Sequence, residues 1–423
     1  MIRIMKRGEV SESELFARKV SGADVAGTVA EIIADVRENG DAALKKYNEK
    51  FDRCSCESLL VSDEEFDAAV EAVGPELLRV LERSAGNIRE YHLRQVRHDY
   101  IVTAEDGSVL GQRVLPMARV GLYVPGGTAA YPSSVLMNAI PAKIAGVGEI
   151  VMTTPASGGE VSPAILAAAK VAGVDRVFKV GGAQAVAALA YGTESVPRVD
   201  KIVGPGNAFV AEAKRQVYGQ VAIDMIAGPS EILIVSDGKT NAKWLAADML
   251  SQAEHDKLAT AILITDSAAL AAEVAEEIER QLAALPREEI ARASIENNGK
   301  IIVAGDLEDA VAIANEIAPE HLELCVDAPF DYLGKVKNAG SIFLGRYSPE
   351  PVGDYLAGTN HTLPTMGTAR FSSPLSVDDF VKKSCFSYYT PAALEAAADD
   401  IALFADAEGL HGHAVSATIR REG

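Results

Sequence analysis

Residues 119–154, RVGLYVPGGTAAYPSSVLMNAIPAKIAGVGEIVMTT, decide the fold because they hold two apolar strands separated by a glycine turn and a helix. RVGLYV and EIVMTT are nearly continuous runs of apolar residues, and the intervening SSVLMNAIPAKIAGV is long enough to form a helix. Strands of this kind that are joined by helices are typical of a parallel sheet covered on both faces. The stretch therefore predicts an α/β protein.

The alternation of strand and helix continues along the chain and divides into two sets. We predict a first α/β module over residues 116–236 and a second over residues 237–346. Residues 1–115 are predicted to form helices followed by a hairpin that turns at Asp106-Gly107. Residues 347–423 are loop-rich and then helical, and they are too few to hold a core alone. We expect this C-terminal arm to pack on another domain or on a second subunit.

The composition excludes several classes of partner. The chain has 423 residues, of which 60 are acidic and 40 are basic, giving a formal net charge of −20. Such a balance leaves no basic face for nucleic acid or for an anionic membrane surface. The first residues lack the apolar segment of a signal peptide, and no apolar run approaches the ~20 residues of a membrane helix. We expect a cytoplasmic protein.

The cysteines give little structural information. The four of them, Cys54, Cys56, Cys325 and Cys385, are too few and too scattered for a disulfide framework. Cys54 and Cys56 have C-x-C spacing instead of the C-x2-C spacing of a zinc knuckle, so they are a weak metal signal. This cysteine usage favours a reducing compartment.

Glycines stand at three junctions between a strand and a helix, in YVPGGTAAYPSS, VGGAQAV and VGPGNAF. Glycine lets the backbone turn tightly and approach a ligand, and the amino end of the following helix favours a phosphate. Each turn alone is equally well explained without a ligand, and none has the G-x-G-x-x-G spacing of the dinucleotide fingerprint. Three together indicate a nucleotide or cofactor cleft within reach of Tyr123, Gln184 and Asn207, although the pattern does not name the nucleotide.

The helical run AKWLAADMLSQAEHD, residues 242–256, places Gln252 and His255 on one face, with Asp248 one turn earlier. Taken alone, such a set is most often a solvated polar stripe on an amphipathic helix. The distribution of histidines suggests another interpretation. Five of the seven lie in the carboxyl half of the chain, each near an amide or a carboxyl group.

Glu320 and His321 form a pair directly after Pro319 in IAPEHLEL. Neighbouring side chains diverge in a regular strand or helix, so a break at the proline would be needed to aim both into one cleft. Histidine suits a general base near neutral pH, and an adjacent glutamate can orient it or activate a water. The alternative is a surface Glu-His pair in an ordinary loop.

Two later segments also carry groups suited to chemistry. VGDYLAGTNHTLPTMG is a long loop that contains Asp354 and His361, and AEGLHGHAVSATIRR contains Glu408, His411 and His413. Long loops without secondary structure are usually functional or disordered, and the second segment could equally be a frayed tail. One Gln, one Asp and two His offer two oxygens and two imidazole nitrogens, a set that suits zinc or a neighbouring divalent metal.

Seven blocks of this sequence, taken together, resemble the histidinol dehydrogenase family, and they occur in that family's order. They are GLYVPGGTAAYPSSVLMNAIPAKIAGV, VDKIVGPGN, IDMIAGPSEILI, LSQAEHD, APEHLEL, GDYLAGTNHTLPT and LHGHAVSATIR. The resemblance implies oxidation of L-histidinol, through bound L-histidinal, to L-histidine with two NAD and one water, the last step of histidine biosynthesis. It also implies a homodimer with one zinc ion per subunit and two Rossmann-like modules related to the aldehyde dehydrogenase fold.

The resemblance further implies roles for residues of this chain. The implied zinc ligands, which would also contact the substrate, are Gln252, His255, Asp354 and His413. The implied catalytic pair is Glu320 and His321, and further substrate contacts fall on Ser230, His361 and Glu408. The implied cofactor contacts are Tyr123, Gln184 and Asn207. A thin C-terminal arm suits an active site shared between two subunits.

Three alternatives remain beside a scheme in which His321 accepts protons and Glu320 activates water. The first is a covalent route through Cys325 or Cys385, as in aldehyde dehydrogenases. The second is a relative that oxidises a different alcohol, against which the presence of Glu408 and His361 speaks. The third is a zinc hydrolase that uses the Glu-His pair on a metal-bound water and needs no NAD.

Overall fold

The computed structural model describes residues 2–18, 24–126 and 130–422, and in these ranges it has two parallel sheets and one antiparallel sheet. The strands are β1 (Arg3–Lys6), β2 (Tyr100–Thr103), β3 (Val109–Pro116), β4 (Arg119–Tyr123), β5 (Glu149–Thr154), β6 (Arg176–Lys179), β7 (Lys201–Val203), β8 (Ala222–Ile223), β9 (Glu231–Ser236), β10 (Thr260–Thr265), β11 (Lys300–Val303), β12 (His321–Cys325), β13 (Ser341–Leu344) and β14 (Val381–Tyr388).

The α-helices are α1 (Glu12–Leu15), α2 (Ala26–Tyr47), α3 (Asp63–Leu93), α4 (Pro132–Ala145), α5 (Pro163–Ala172), α6 (Gly182–Tyr191), α7 (Ala208–Val217), α8 (Ala242–Ala253), α9 (Ala268–Leu282), α10 (Glu288–Asn297), α11 (Leu307–Ile317), α12 (Pro329–Leu333), α13 (Glu350–Val352), α14 (Pro391–Ala407) and α15 (His411–Thr418). Two π-helical turns occupy Asn48–Asp52 and Gly353–Ala357. Short 3-10 turns occupy Thr368–Arg370, Val377–Phe380 and Ile419–Arg421.

The first parallel sheet has the strand order β6-β5-β4-β7-β8. Its strands β4 and β5 come from the stretch that predicted the fold, and they pair with Arg119 opposite Glu149. Helix α4 between them begins at a proline and ends before Gly146, whose φ of 84° is the left-handed conformation of a helix C-cap. Helices α3, α4 and α5 cover one face and α2, α6 and α7 cover the other, which confirms the predicted α/β arrangement.

The second parallel sheet has the order β1-β11-β10-β9-β12-β13. Helices α8, α9 and α10 pack on one face, and α11 packs on the other. Two strands come from parts of the chain where the sequence analysis did not place them: β1 lies in the region expected to be helical, and β9 lies in the range assigned to the first module. A strand's own sequence does not say which sheet it joins, since tertiary contacts decide the pairing.

The antiparallel sheet has the order β14-β3-β2 and joins the N-terminal region to the C-terminal arm. The hairpin of β2 and β3 turns as expected, with the N–H of Gly107 donating to the carbonyl oxygen of Ala104 at 3.0 Å. Strand β14 then pairs along the whole of β3. Beyond it, α14 and α15 pack on each other and leave Leu403 and Phe404 74% and 71% exposed. The C-terminal arm thus has no core of its own.

The structure also bears on the expectations about membrane-spanning helices and about the cysteines. Among the described residues, no helix combines the length and the apolar character that a membrane span requires. Cys54 and Cys56 form a disulfide, which the sequence analysis did not predict, whereas Cys325 and Cys385 are free.

Candidate active site

Glu320 and His321 lie at the junction of α11 and β12, and both side chains contact the backbone of the same residue, Glu231. Ala318 ends the helix with a positive φ of 51°, so the chain leaves α11 sharply and enters β12 at His321. The carboxylate Oε2 of Glu320 accepts a hydrogen bond from the backbone N–H of Glu231 at 2.8 Å. The imidazole Nδ1 of His321 lies 2.9 Å from the carbonyl oxygen of Glu231. Nδ1 of His321 lies 3.7 Å from Oε2 of Glu320.

Burial sets the protonation of the pair. Glu320 and His321 are only 6% and 4% exposed. Burial raises the pKa of Glu320 well above its usual 4.5, and the neighbouring carboxyl groups of Glu231, Asp354 and Glu350 act in the same direction. Burial lowers the pKa of His321 below 6.5, even though Asp354 favours the charged form. His321 is therefore neutral at neutral pH, with its proton on Nδ1 facing a carbonyl and Nε2 free of hydrogen bonds.

Two further carboxyl groups face the free nitrogen of His321. His321, Glu350 and Asp354 each offer a ligand atom, and these atoms lie within 4.8 Å of one another, a group that could hold a metal ion. Glu350 Oε1 is 3.8 Å from His321 Nε2. Burial and the adjacent Asp354 raise the pKa of Glu350 to about 9, so that it is protonated near neutral pH. Glu350 was not among the residues predicted from the sequence, although its spacing of four residues from Asp354 could have indicated it.

His361 connects this cluster to the first module. Its Nδ1 lies 3.5 Å from Asp354 Oδ1, and His361 is the main reason that the pKa of Asp354 falls to about 2 against the effect of burial. The other nitrogen of the ring, Nε2, lies 3.4 Å from the hydroxyl of Ser134 near the start of α4. Since α4 follows the first glycine turn, His361 lies where the two modules meet.

Helix α8 ends beside the same cluster. Gln252 lies in its last turn and is 1% exposed, and its side-chain oxygen is buried without a hydrogen-bond partner. His255 follows just after the helix, with Nδ1 2.9 Å from the carbonyl oxygen of Ser251, which leaves Nε2 available. His255 also helps to lower the pKa of His321, so the two rings are electrostatically coupled. The side chain of Asp248 instead makes a hydrogen bond with the side chain of Glu323.

These donors fit the divalent metal that the donor types suggested. A buried amide oxygen without a partner is costly, and a cation relieves that cost. Asp354 is held ionised, as a metal ligand must be, and the free Nε2 of His255 is the lone pair that an imidazole ligand offers. The ionised Asp354 also belongs to the group of His321, Glu350 and Asp354 that could hold a metal ion, so the two sets of possible ligands share this carboxylate.

The structure does not bring Glu408 and His413 into this cluster. Both are exposed on the helical pair α14–α15, where His413 lines a groove of about 620 Å³ with Leu394, Ile401 and Arg420. The donors described above lie on α8 and on the turn after α13. Within one chain these two sequence-predicted residues therefore stand apart from the other site residues.

The three residues expected to contact a cofactor lie near the carboxyl edge of the first sheet. The hydroxyl of Tyr123 accepts a hydrogen bond from the N–H of Gly182 at 3.1 Å, and burial raises its pKa to about 12. Gln184 is buried, and neither polar atom of its amide has a hydrogen-bond partner among the described residues. Asn207 is exposed and caps α7 by accepting from the N–H of Phe209 at 3.0 Å. Residues 127–129 of the first glycine turn lie outside the described ranges.

The remaining candidates are Ser230 and the two free cysteines. Ser230 directly precedes Glu231 and is partly buried, with its carbonyl oxygen accepting from Thr260 at 3.0 Å. Burial and the nearby Glu323 raise the pKa of the Cys325 thiol, which opposes formation of a nucleophilic thiolate. Cys385 lies exposed in β14, on the antiparallel sheet. Cys325 therefore does not have the environment of a nucleophile, and the sheet that holds Cys385 contains none of the other site residues.

Comparison with known proteins agrees with the geometry. The family model for histidinol dehydrogenase matches residues 17–421. Histidinol dehydrogenase of Geobacter sulfurreducens is 56% identical over 403 residues, which cover 95% of this chain and 94% of the relative. That of Clostridium acetobutylicum is 53% identical over 426 residues, which cover 99% of both chains.

A solved structure of a histidinol dehydrogenase has the same fold as this chain. The crystal structure of histidinol dehydrogenase from Elizabethkingia anophelis matches with a TM-score of 0.95 at 37% sequence identity, covering 100% of this chain and 98% of that chain. The resemblance seen in the seven sequence blocks is thus confirmed over nearly the whole length. Sequence and fold together show that the chain belongs to the histidinol dehydrogenase family.

Proposed function

We propose that Glu320 and His321 are the catalytic groups with which this chain, an oxidoreductase of histidine biosynthesis by its family, converts L-histidinol to L-histidine. The assignment rests on the burial, the protonation and the hydrogen bonding of the His321 ring. Its ring is buried and neutral, Nδ1 faces the carbonyl oxygen of Glu231, and Nε2 has no partner. A neutral imidazole held in one tautomer, with its lone pair directed to a cluster of polar groups, is suited to accept a proton.

The conversion of a primary alcohol to a carboxylate needs two oxidations and one hydration. In the first oxidation, His321 Nε2 accepts the hydroxyl proton while the carbinol carbon gives up a hydride, leaving the aldehyde. Glu320 then takes a proton from the water that adds to the aldehyde carbon. After His321 and Glu320 have passed their protons to solvent, His321 accepts a proton from the hydrate in the second oxidation. A second hydride leaves to give the carboxylic acid, which ionises to the carboxylate, and one NAD would accept each of the two hydrides. Glu320 must be ionised for the hydration step, and its raised pKa makes its carboxylate a stronger base than that of an ordinary glutamate.

We infer that one zinc ion per subunit binds at Gln252, His255 and Asp354, with His413 of the partner subunit as a fourth ligand. The unpartnered oxygen of Gln252 and the ionised Asp354 support this set. When bound, the ion supplies Lewis-acid character that fixes nitrogen groups of the substrate. His361 would hold the substrate from the side of the first module, with Ser230 and Glu408 as further contacts.

We infer that NAD binds along the carboxyl edge of the first sheet, where Tyr123, Gln184 and Asn207 lie. Ligands of open α/β sheets bind at this edge. The buried amide of Gln184, with both polar atoms free, supports a polar ligand there. The amino ends of α6 and α7 lie at this edge, and the positive ends of their helix dipoles suit the phosphates of a dinucleotide.

We further infer a homodimer whose subunits share their active sites. The exposed apolar side chains of α14, among them Leu403 and Phe404, are typical of a surface that another chain covers. Glu408 and His413 lie on this same arm, away from the other site residues of their own chain. A cytoplasmic location, expected from the sequence, belongs with this proposal.

The experiment that tests the proposed function measures NADH formed per L-histidinol consumed, with and without a chelator and after zinc is restored. We expect two NADH per substrate, lost on chelation and recovered with zinc. One NADH would show that the aldehyde leaves before it is hydrated. No NADH from L-histidinol would refute the proposal, and hydrolytic turnover without NAD would favour the zinc hydrolase.

A further inference from the structure

Glu231 holds both catalytic side chains through its backbone, and its own carboxylate is held in turn. Its N–H donates to Glu320 and its carbonyl oxygen faces His321 Nδ1, at 2.8 and 2.9 Å. The Glu231 side chain is only 3% exposed, and its Oε1 pairs with Nε of Arg18 at 2.9 Å. The other oxygen, Oε2, accepts from the N–H of Met366 at 3.1 Å. The ion pair between Arg18 and the buried Glu231 carboxylate therefore helps to fix the orientation of the Glu231 peptide groups.

Arg18 also touches the other element that places the catalytic pair. Its Nη2 donates to the carbonyl oxygen of Ile317 at 2.6 Å, at the last residue of α11. Glu320 and His321 follow that residue three and four positions later in the chain. One guanidinium group thus bridges the start of β9 and the end of α11, the two elements that place Glu320 and His321 against the peptide groups of Glu231.

We propose that Arg18 is a positioning residue for the catalytic pair, and that it acts through the Glu231 carboxylate. The inference rests on the proposed roles of Glu320 and His321. Among the residues that the structure describes, Arg18 is the cation that pairs with the buried Glu231 carboxylate. When it is removed, the buried charge either takes up a proton or moves. Either change alters the peptide groups that orient His321 Nδ1 and the Glu320 carboxylate. A displacement of about 1 Å at a reacting group can lower turnover about 100-fold.

The first variants to compare are Arg18→Met and Lys300→Met. Lys300 provides a matched control because its Nζ donates to the carbonyl oxygen of Leu15 at 3.1 Å, and also to that of Ala17, without contacting Glu231. Both lysine and arginine therefore anchor the same N-terminal segment. We expect Arg18→Met to lower kcat about 100-fold with KM for L-histidinol changed less than about 3-fold. We expect Lys300→Met to lower Tm and to leave kcat within about 2-fold.

Two more variants test the path through Glu231. Glu231→Gln keeps the length of the side chain but removes its charge, so it should lower kcat as Arg18→Met does. The double variant should be no slower than the slower single variant, since two groups that act as one unit are not additive. Arg18→Lys should recover part of kcat because a cation remains. If Arg18→Met does not fold, Glu231→Gln and Arg18→Lys carry the test.

The outcomes separate this inference from the proposed function. Equal kcat for Arg18→Met and Lys300→Met, or additive effects in the double variant, would show that Arg18 only anchors the segment and would overturn the inference. Glu320→Gln and His321→Asn are measured beside them. If these two retain turnover, the catalytic assignment itself fails. If they lose turnover while Glu231→Gln does not, only the positioning role of Arg18 is wrong.

Discussion

Replacement of Glu350 by Gln should change how the stability of the metal-free protein depends on pH. The pKa of Glu350 in the folded protein is raised from 4.5 to about 9, because the carboxyl group is buried beside Asp354. Between these pH values the folded state keeps a proton that the unfolded chain loses. The contribution of Glu350 is therefore fully present below pH 4.5 and is lost as the pH rises toward 9.

The size of the effect follows from proton linkage. One proton bound by the folded state and absent from the unfolded state lowers the free energy of unfolding by about 1.4 kcal/mol per pH unit. Between about pH 6 and about pH 8, the wild-type protein should lose about 3 kcal/mol through this group alone. Gln is a neutral isostere that binds no proton, so the variant lacks this loss and should gain stability relative to the wild type as the pH rises.

The assay is urea unfolding of the chelated protein, followed by circular dichroism at several pH values in this range. Glu320 and Glu323 also have raised pKa values, but both proteins retain them, so the difference between the two curves isolates Glu350. Added zinc should reverse the order of stability, since a cation favours the ionised carboxyl group. Parallel pH dependence in the wild type and the variant would refute the reasoning, because Glu350 would then have the same protonation in both states.

Three further predictions follow from the site. The acid limb of kcat/KM should have its midpoint below pH 6.5, because burial lowers the pKa of the base His321; a midpoint above 6.5 would contradict its assignment. Gln252→Ala should lower bound zinc, measured by atomic absorption after dialysis, more than Asp248→Ala, since only Gln252 has a free buried oxygen. Cys385→Ala should keep most activity in the NADH assay, because the thiol lies exposed in β14; loss of orders of magnitude would restore the covalent route.

The parts of the fold that sequence predicted are those set by local pattern. The apolar strands and the helix of residues 119–154 form as expected, because proline and glycine mark the ends of α4 within the stretch itself. The sheet that each strand joins was not predictable in the same way. β1 and β9 have ordinary strand sequences, and their partners are set by contacts between distant parts of the chain.

The same distinction applies to the site. Glu320 and His321 attracted notice as a Glu-His pair, and the structure places their side chains 3.7 Å apart. Gln252 attracted notice because it lies one helical turn from His255. Glu350 and Glu231 were missed, since single acidic residues are abundant in a chain with 60 of them. Glu231 acts through its N–H and carbonyl groups, which every residue except proline carries. A residue that acts through its backbone can be of almost any type, so its role cannot be recognised from the sequence.

The placement of β1 has a consequence for the order of events during synthesis. Its residues pair with Lys300–Val303, about 300 positions later in the chain, so the strand leaves the ribosome long before its partner exists. At about 5–20 residues per second, it waits on the order of tens of seconds. Its short length and its charged Arg3 and Lys6 limit pairing with other chains in that interval. The second module therefore cannot add its earliest-made strand until β11 has emerged.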